Sequence, residues 1–293
     1  MVITLWRIVL EGLIPASLYA PIACGLVIVY RSSRVLNFAQ GVFSFVGAYV
    51  FFWFASELHL NVIVSFLFTF IGVFALGVIL YYVLLRPLLS RGPIVVVMVT
   101  IALTSVLEAV ILILFGSSTN YINNLVPQNH PVTLPGGVVF SDVEAGTIVA
   151  SAIAILVLIL FLKYSNAGRV IKAVSDSPTL AAYWGYNSAR LVSFTWGISF
   201  FLSALAGIGY ALSSSLDSGI LSLGTIVFPV VLIGGMDSLG GALIGAVLFG
   251  IMNQGVTVYF GGQWPDFVGY ASLIVILIIR PFGLFGTKEM VRL

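Results

Sequence analysis

Residues Lys163 to Arg190, KYSNAGRVIKAVSDSPTLAAYWGYNSAR, form a polar, basic stretch of 28 residues set between two hydrophobic runs. The runs on either side, roughly 145–162 and 191–212, approach or exceed the length of helix that crosses a bilayer core of about 30 Å. The stretch therefore reads as a connection outside the membrane, and its neighbours as spans. Within it, Ser177 is a good N-cap, Pro178 fits a first helical position because its missing N–H would be unpaired anyway, and Gly185 can end the turn in the left-handed region. Leu180, Tyr183 and Trp184 then share one face, at i, i+3 and i+4. A helix of two turns is too short to stand alone. It needs the end of the bundle or a second protein to pack against.

Composition agrees with this reading. With 60% hydrophobic and 8% charged residues, 293 residues cannot build a water-facing surface around a soluble core. The single Cys24 lies in an apolar run, which excludes a disulfide framework and reads as a small buried residue. A net charge of +2 is too small to suggest a nucleic-acid partner.

The chain is thus expected to be an all-α integral membrane protein, a polytopic bundle of eight or nine spans in one transmembrane domain covering 1–293. Long candidate spans run roughly 8–30, 61–85, 93–115, 145–162 and 191–212. Shorter or glycine-broken candidates run 38–56, 219–235, 239–260 and 265–281, some of them tilted, re-entrant or discontinuous. The first is too long for the apolar region of a signal peptide and is kept as a mature span.

Eleven of the twelve Lys and Arg residues fall in the 31–34, 86–91 and 163–190 loops or the C-terminal tail. These share one face when the N-terminus is outside and the C-terminus cytoplasmic, and the parity favours nine crossings. Only Arg7 dissents. The opposite face carries a loop over 116–144 with Pro127, Pro131, Pro135 and Gly136-Gly137 but no Lys or Arg. Its length suits either a cover or a lid at the mouth of a pathway.

Polar groups inside spans are costly and therefore candidates for function. Glu108 stands first, with Thr104 and Ser105 nearby; Asn253 and Gln254 follow, then Glu11. Asn37 and Gln40 around Phe38 break the apolar pattern early in the chain, and Gly234, Gly235, Gly240 and Gly241 around Asp237 break it late. The two breaks hint at an internal repeat with discontinuous helices facing a central pathway. Gly241 and Gly245 also make a G-x-x-x-G pair for close helix packing. His59 and His130 have no ligand spacing to one another and read as ordinary loop residues.

Four blocks carry a family resemblance: residues 34–41 (RVLNFAQG) with Gly47-Ala48-Tyr49; Gly168-Arg169 through Lys172-Ala173, Asp176 and Pro178 to Gly185; residues 232–242 (LIGGMDSLGGA); and residues 280–286 (RPFGLFG). In this order they resemble the branched-chain amino acid ABC transporter permeases, specifically the shorter of two paralogous permeases. The resemblance implies a half-transporter in a prokaryotic inner membrane. Its implied partners are a second permease, two cytoplasmic ATPases and an extracytoplasmic binding protein, with membrane lipid around it. It further implies that the 163–190 loop couples to an ATPase through Gly168, Arg169, Lys172, Asp176, Ser177, Pro178, Ala182, Tyr183, Trp184 and Gly185. Lys172 stands where the family commonly has arginine, and Tyr183-Trp184 where smaller residues are usual. No G-x-x-x-x-G-K-[ST] sequence occurs, so ATP and magnesium are expected in the partner subunits and this chain is expected to bind no cofactor. The expected cargo is a branched-chain or other hydrophobic amino acid, or a small amide, urea or organic acid. The alternative is a carrier or channel driven by an ion gradient.

Overall fold

The structure, a computed structural model, describes residues 2–122, 132–134, 138–176, 183, 186–280 and 283–286. Helices dominate them: α1 (Val2–Ser33), α2 (Gln40–Phe52), α3 (Val62–Leu80), α4 (Pro93–Phe115), α5 (Asp142–Tyr164), α6 (Asn166–Asp176), α7 (Ser188–Ser213), α8 (Ser222–Gly234), α9 (Leu239–Phe260) and α10 (Pro265–Ile279). Each of the nine expected spans is helical. Six are long and apolar enough to cross a membrane unaided, whereas α8 and α10 are shorter and α2 continues only through a π-helical turn, Trp53–Glu57.

One expectation is corrected here. The 239–260 segment was grouped with the broken spans, yet α9 is a continuous helix of 22 residues. Its glycines do not unwind it because neighbouring backbone fills the space beside them: a Cβ on Gly245 would lie 2.4 Å from the Val230 carbonyl oxygen, and one on Gly250 2.5 Å from that of Gly12.

Helix α1 is the axis of the bundle, with α5, α7 and α9 packed around it and α2 and α3 laid against α7. Its residues from Ile22 to Val29 are almost wholly buried, and Cys24 sits among them. Two prolines interrupt its hydrogen bonding, at Pro15 and Pro21. Proline at 21 leaves the carbonyl four residues earlier, that of Ser17, without its helical donor. Ser151 of α5 supplies one, its Oγ donating to the Ser17 oxygen at 2.7 Å. A hydroxyl from a neighbouring helix is the ordinary remedy where no water is present.

Arg7, the dissenter from the expected charge pattern, is neutralised locally. Its Nε lies 2.5 Å from Glu11 Oε1, one turn along α1, and Gln254 of α9 donates to the other carboxylate oxygen at 2.7 Å.

Helix α5 starts with a capping box: Ser141 Oγ accepts from Glu144 N, and Glu144 Oε2 accepts from Ser141 N. Within the 116–144 loop, strands β1 (Val132–Leu134) and β2 (Val138–Phe140) form a small antiparallel hairpin, with Val132 opposite Phe140. The start of the loop is pinned by paired backbone bonds between Asn120 and Leu216.

Candidate translocation site

After α1 the chain does not turn straight into another helix. Arg34 adopts a left-handed conformation (φ 55°), residues 35–37 have no regular structure, and α2 begins only at Gln40. Gln40 meets α7 at Ser199 and Ser203, halfway along that 26-residue helix. The start of α2 is therefore at mid-depth of the bundle, where bare backbone N–H groups would be expensive.

The sequence satisfies them with side chains. Asn37 Oδ1 accepts from Ala39 N at 3.1 Å, and Thr100 Oγ1 on α4 accepts from Phe38 N at 3.2 Å. Asn37 Nδ2 donates to Gln40 Oε1, which also accepts from Ser199 Oγ, each at 3.0 Å. Gln40 Nε2 donates to Ser203 Oγ at 2.7 Å and reaches the Ile22 carbonyl at 3.4 Å. Asn37 and Gln40 are both fully buried. They hold the break in shape, and of the early trio only Phe38 is open, at 37% exposure.

The late break meets the early one. Gly41 lies against Gly224, near the start of α8: a Cβ on Gly41 would fall 2.5 Å from the Gly224 Cα. Further along α2, the Tyr49 hydroxyl reaches the Leu216 carbonyl at 3.5 Å. Residues 216–224 thus run antiparallel to 41–49, and α8 then continues away from α2. Two short helices begin at the same mid-depth point and diverge, so both positive dipole ends converge there. Beside them Phe38 stacks on Phe228, ring centroids 4.6 Å apart.

Thr104 Oγ1 donates to the Phe38 carbonyl at 3.4 Å and to the Thr100 carbonyl at 3.2 Å. Glu108 is one turn further along the same α4 stripe. It is half-buried and makes no hydrogen bond or ion pair among the described residues. The structure therefore brings Phe38, Thr104 and Phe228 together, with Glu108 flanking them. It separates Gln254, which is held by Glu11, and Asn253, whose side chain has no hydrogen-bond partner among the described residues.

Sequence reasoning did not single out Phe228, Gly224 or Thr100. Pro229 directly after Phe228 was the available signal, since a proline in a short apolar helix marks irregular backbone nearby.

The glycines of the late block have two uses. Gly234 and Gly241 touch backbone to backbone, a Cβ on either falling 2.2 Å from the other's carbonyl oxygen. Gly235 ends α8 at φ 109°. There the 280–286 block docks: Leu284 N donates to the Ile233 carbonyl at 2.8 Å and Phe285 N to that of Gly234 at 3.0 Å. Gly240 faces open space.

Of the expected coupling segment, Ser177, Pro178, Ala182, Trp184 and Gly185 lie outside the described residues. Tyr183 is described and is 86% exposed. Just before it, α6 was not anticipated. Ser165 Oγ caps it by accepting from Gly168 N at 2.9 Å, and Ile171 and Val174 are buried while Arg169 and Lys172 are exposed. The signal was present in Val170, Ile171 and Val174, an i, i+1, i+4 apolar pattern among polar residues.

A polytopic helical bundle with two discontinuous helices meeting at mid-depth has the architecture of a membrane transport protein. The family described as branched-chain amino acid transport system / permease component matches residues 8–277, and the chain belongs to that family. It is 27% identical over 292 residues to the high-affinity branched-chain amino acid transport system permease protein BraD of Pseudomonas aeruginosa, covering 96% of this chain and 95% of that one. It is 25% identical over 294 residues to the LivH permease protein of Escherichia coli, with the same coverage. It is 27% identical over 306 residues to the probable LivH permease of Methanocaldococcus jannaschii, covering 98% and 95%. No solved structure matches significantly.

Proposed function

We propose that this chain is one permease subunit of an ATP-driven importer for branched-chain or related hydrophobic amino acids, or small amides, urea or organic acids. It pairs with a second permease, receives cargo from an extracytoplasmic binding protein and rests on two cytoplasmic ATPases that use ATP and magnesium. Its whole length forms one permease domain, with the N-terminus outside and the C-terminus cytoplasmic. The 163–190 loop is the contact through which the ATPases act. The observation that carries the reading is the mid-depth junction of α2 and α8, with Phe38 partly open beside it. Two helix N-termini favour the carboxylate of a zwitterionic cargo, and the Phe38–Phe228 pair offers an apolar surface to its side chain.

Co-expression with candidate partners and reconstitution in liposomes tests it. Uptake is expected only with the binding protein outside and ATP with the ATPases on the other face. Uptake by the chain alone, following an ion gradient, overturns the proposal in favour of a carrier or channel. Reversing the charge at Arg169, with a change at Asp176 as control, tests the loop. Unchanged assembly and coupled ATP hydrolysis would remove it from the contact.

A further inference from the structure

Helices α5 and α9 both pack on α1 but make little contact with each other, which leaves a groove floored by α1. At the basic end of the bundle the groove opens into a cavity of about 420 Å³. Arg31 of α1, Lys163 of α5 and Lys172 of α6 line it, and among the described residues no acidic side chain does. No salt bridge joins any of these three cations to a carboxylate among the described residues. The rest of the lining is apolar, including Ile28, Ile171 and Leu239. Gly240, whose absent side chain touches nothing, borders the same space.

A second hollow of about 340 Å³ lies between the same three helices, and Ile159 borders both. Its walls are Ala152 and Ile155 of α5 with Leu243 and Val247 of α9, and its floor runs along α1 to Leu13. From Ile28 to Leu13 is fifteen residues of helix, about 22 Å. That exceeds the roughly 15 Å depth of one leaflet's hydrocarbon. Three cations gathered at one end of an apolar channel of acyl-chain length are a pattern for one ligand chemistry, a phosphate ester carrying a hydrocarbon tail.

We infer that the α1–α5–α9 groove is a binding site for an anionic phospholipid of the leaflet at the basic end. The headgroup phosphate sits among Arg31, Lys163 and Lys172, and an acyl chain lies along α1 past Ile159. The alternative sources of the same charge, a free inorganic anion or an acidic protein surface, account for the cations but leave the apolar hollow unexplained. The α6 helix contributes Lys172 and presents Ile171 to the bundle, as an amphipathic helix at the membrane interface does. The inference goes beyond the transport reading and does not depend on it, since no residue of α2, α4 or α8 is among those lining the groove.

The test titrates the full-length chain in mild detergent with phosphatidylglycerol, phosphatidylethanolamine and inorganic phosphate. Native mass spectrometry reads adducts, and the unfolding midpoint reads stabilisation. Phosphatidylglycerol is expected to bind about a hundredfold more tightly than phosphatidylethanolamine. Replacing the three cations together (R31Q, K163Q and K172Q) is expected to abolish that preference, at about fivefold for each charge. A separate variant, Ala152→Trp, fills the tail channel without touching a charge and is expected to reduce retention of both lipids. Equal affinity for the two lipids overturns the inference. So does inorganic phosphate reproducing the stabilisation at the same concentration, which would make this a free-anion site. A triple variant that keeps its lipid preference but loses a co-purifying protein overturns it as well, in favour of a protein contact. Should the triple variant fail to fold, the wild-type titration and Ala152→Trp still decide.

Discussion

Gly41 and Gly224 touch at the point where two half-length helices start, and a Cβ on Gly224 would lie 2.3 Å from the Gly41 Cα. No other side chain lets the two helix ends approach this closely. Gly41→Leu or Gly224→Leu is expected to destabilise the fold by about 1–3 kcal/mol or more through overpacking and to abolish transport. Gly72→Ala is the control. Its Cβ would meet nothing, and it is expected to be neutral or to stabilise by up to about 1 kcal/mol through helix propensity. Thermal unfolding in detergent, alongside uptake in liposomes, distinguishes the pair.

Gln40 joins α1, α2 and α7 through one amide. Gln40→Leu leaves the buried Ser199 and Ser203 hydroxyls and the Asn37 amide short of partners at once. The expected cost is about 2–4 kcal/mol, since each buried group left unpaired is worth about 1–3 kcal/mol and some will find substitutes. Expression level and unfolding midpoint report it. A Ser203→Ala variant, which loses only one of these bonds, is expected to fall by less than half as much.

Phe38 and Phe228 call for the opposite result. Their stack adds about 0.5–1.5 kcal/mol and Phe38 is partly open, so removing the Phe38 ring costs little stability. If the pair borders the path, Phe38→Ala lowers the uptake rate about tenfold with only a small shift in unfolding midpoint. A double-mutant cycle with Phe228→Ala on uptake then shows coupling rather than additivity. Loss of stability in step with loss of uptake would reduce the pair to packing.

The sequence carried the spans well because each is a long apolar run, and it carried the breaks because Asn, Gln and paired Gly are rare inside such runs. It did not carry the meeting of the breaks. Residues 41 and 224 are far apart in the chain, and small residues say only that something comes close, never what. The same limit applies to the C-terminal block: residues 280–286 and 232–242 were recognised separately, and only the fold places Leu284 and Phe285 on the carbonyls that end α8. Glycines at the start of α9 supported both a packing and a hinge reading, because tight packing and hinging use the same residue. The α6 helix was missed because its polar, basic content drew attention to charge rather than to the spacing of Val170, Ile171 and Val174.

Ser151 offers a test of how proline is accommodated in the axis of the bundle. Ser151→Ala removes the donor to the Ser17 carbonyl that Pro21 leaves open, at an expected cost of about 0.6–2 kcal/mol. Pro21→Ala restores an N–H within the helix, so in that background Ser151→Ala is expected to cost much less. The difference between the two backgrounds, read from unfolding midpoints, measures the coupling directly. Equal costs would mean that the hydroxyl stabilises α5 against α1 in some way unrelated to the proline.

Gly235 supports the other end of α8 in a conformation that suits glycine, and it leaves room for Gly286. Gly235→Ala meets two obstacles. A φ of 109° is strained for any residue with a Cβ, and that Cβ would fall 2.4 Å from the Gly286 backbone nitrogen. The strain alone costs about 1–3 kcal/mol, and displacing the 283–286 segment would uncover the Ile233 and Gly234 carbonyls it caps. Ending the chain after Arg280 isolates the second effect, because it removes the donors and leaves Gly235 unstrained. Both variants are expected to lower the unfolding midpoint. In the shortened chain, Gly235→Ala is expected to cost only the conformational strain. If it costs the same in both chains, the contact with Gly286 carries no part of the penalty, and the two sequence blocks touch without depending on each other.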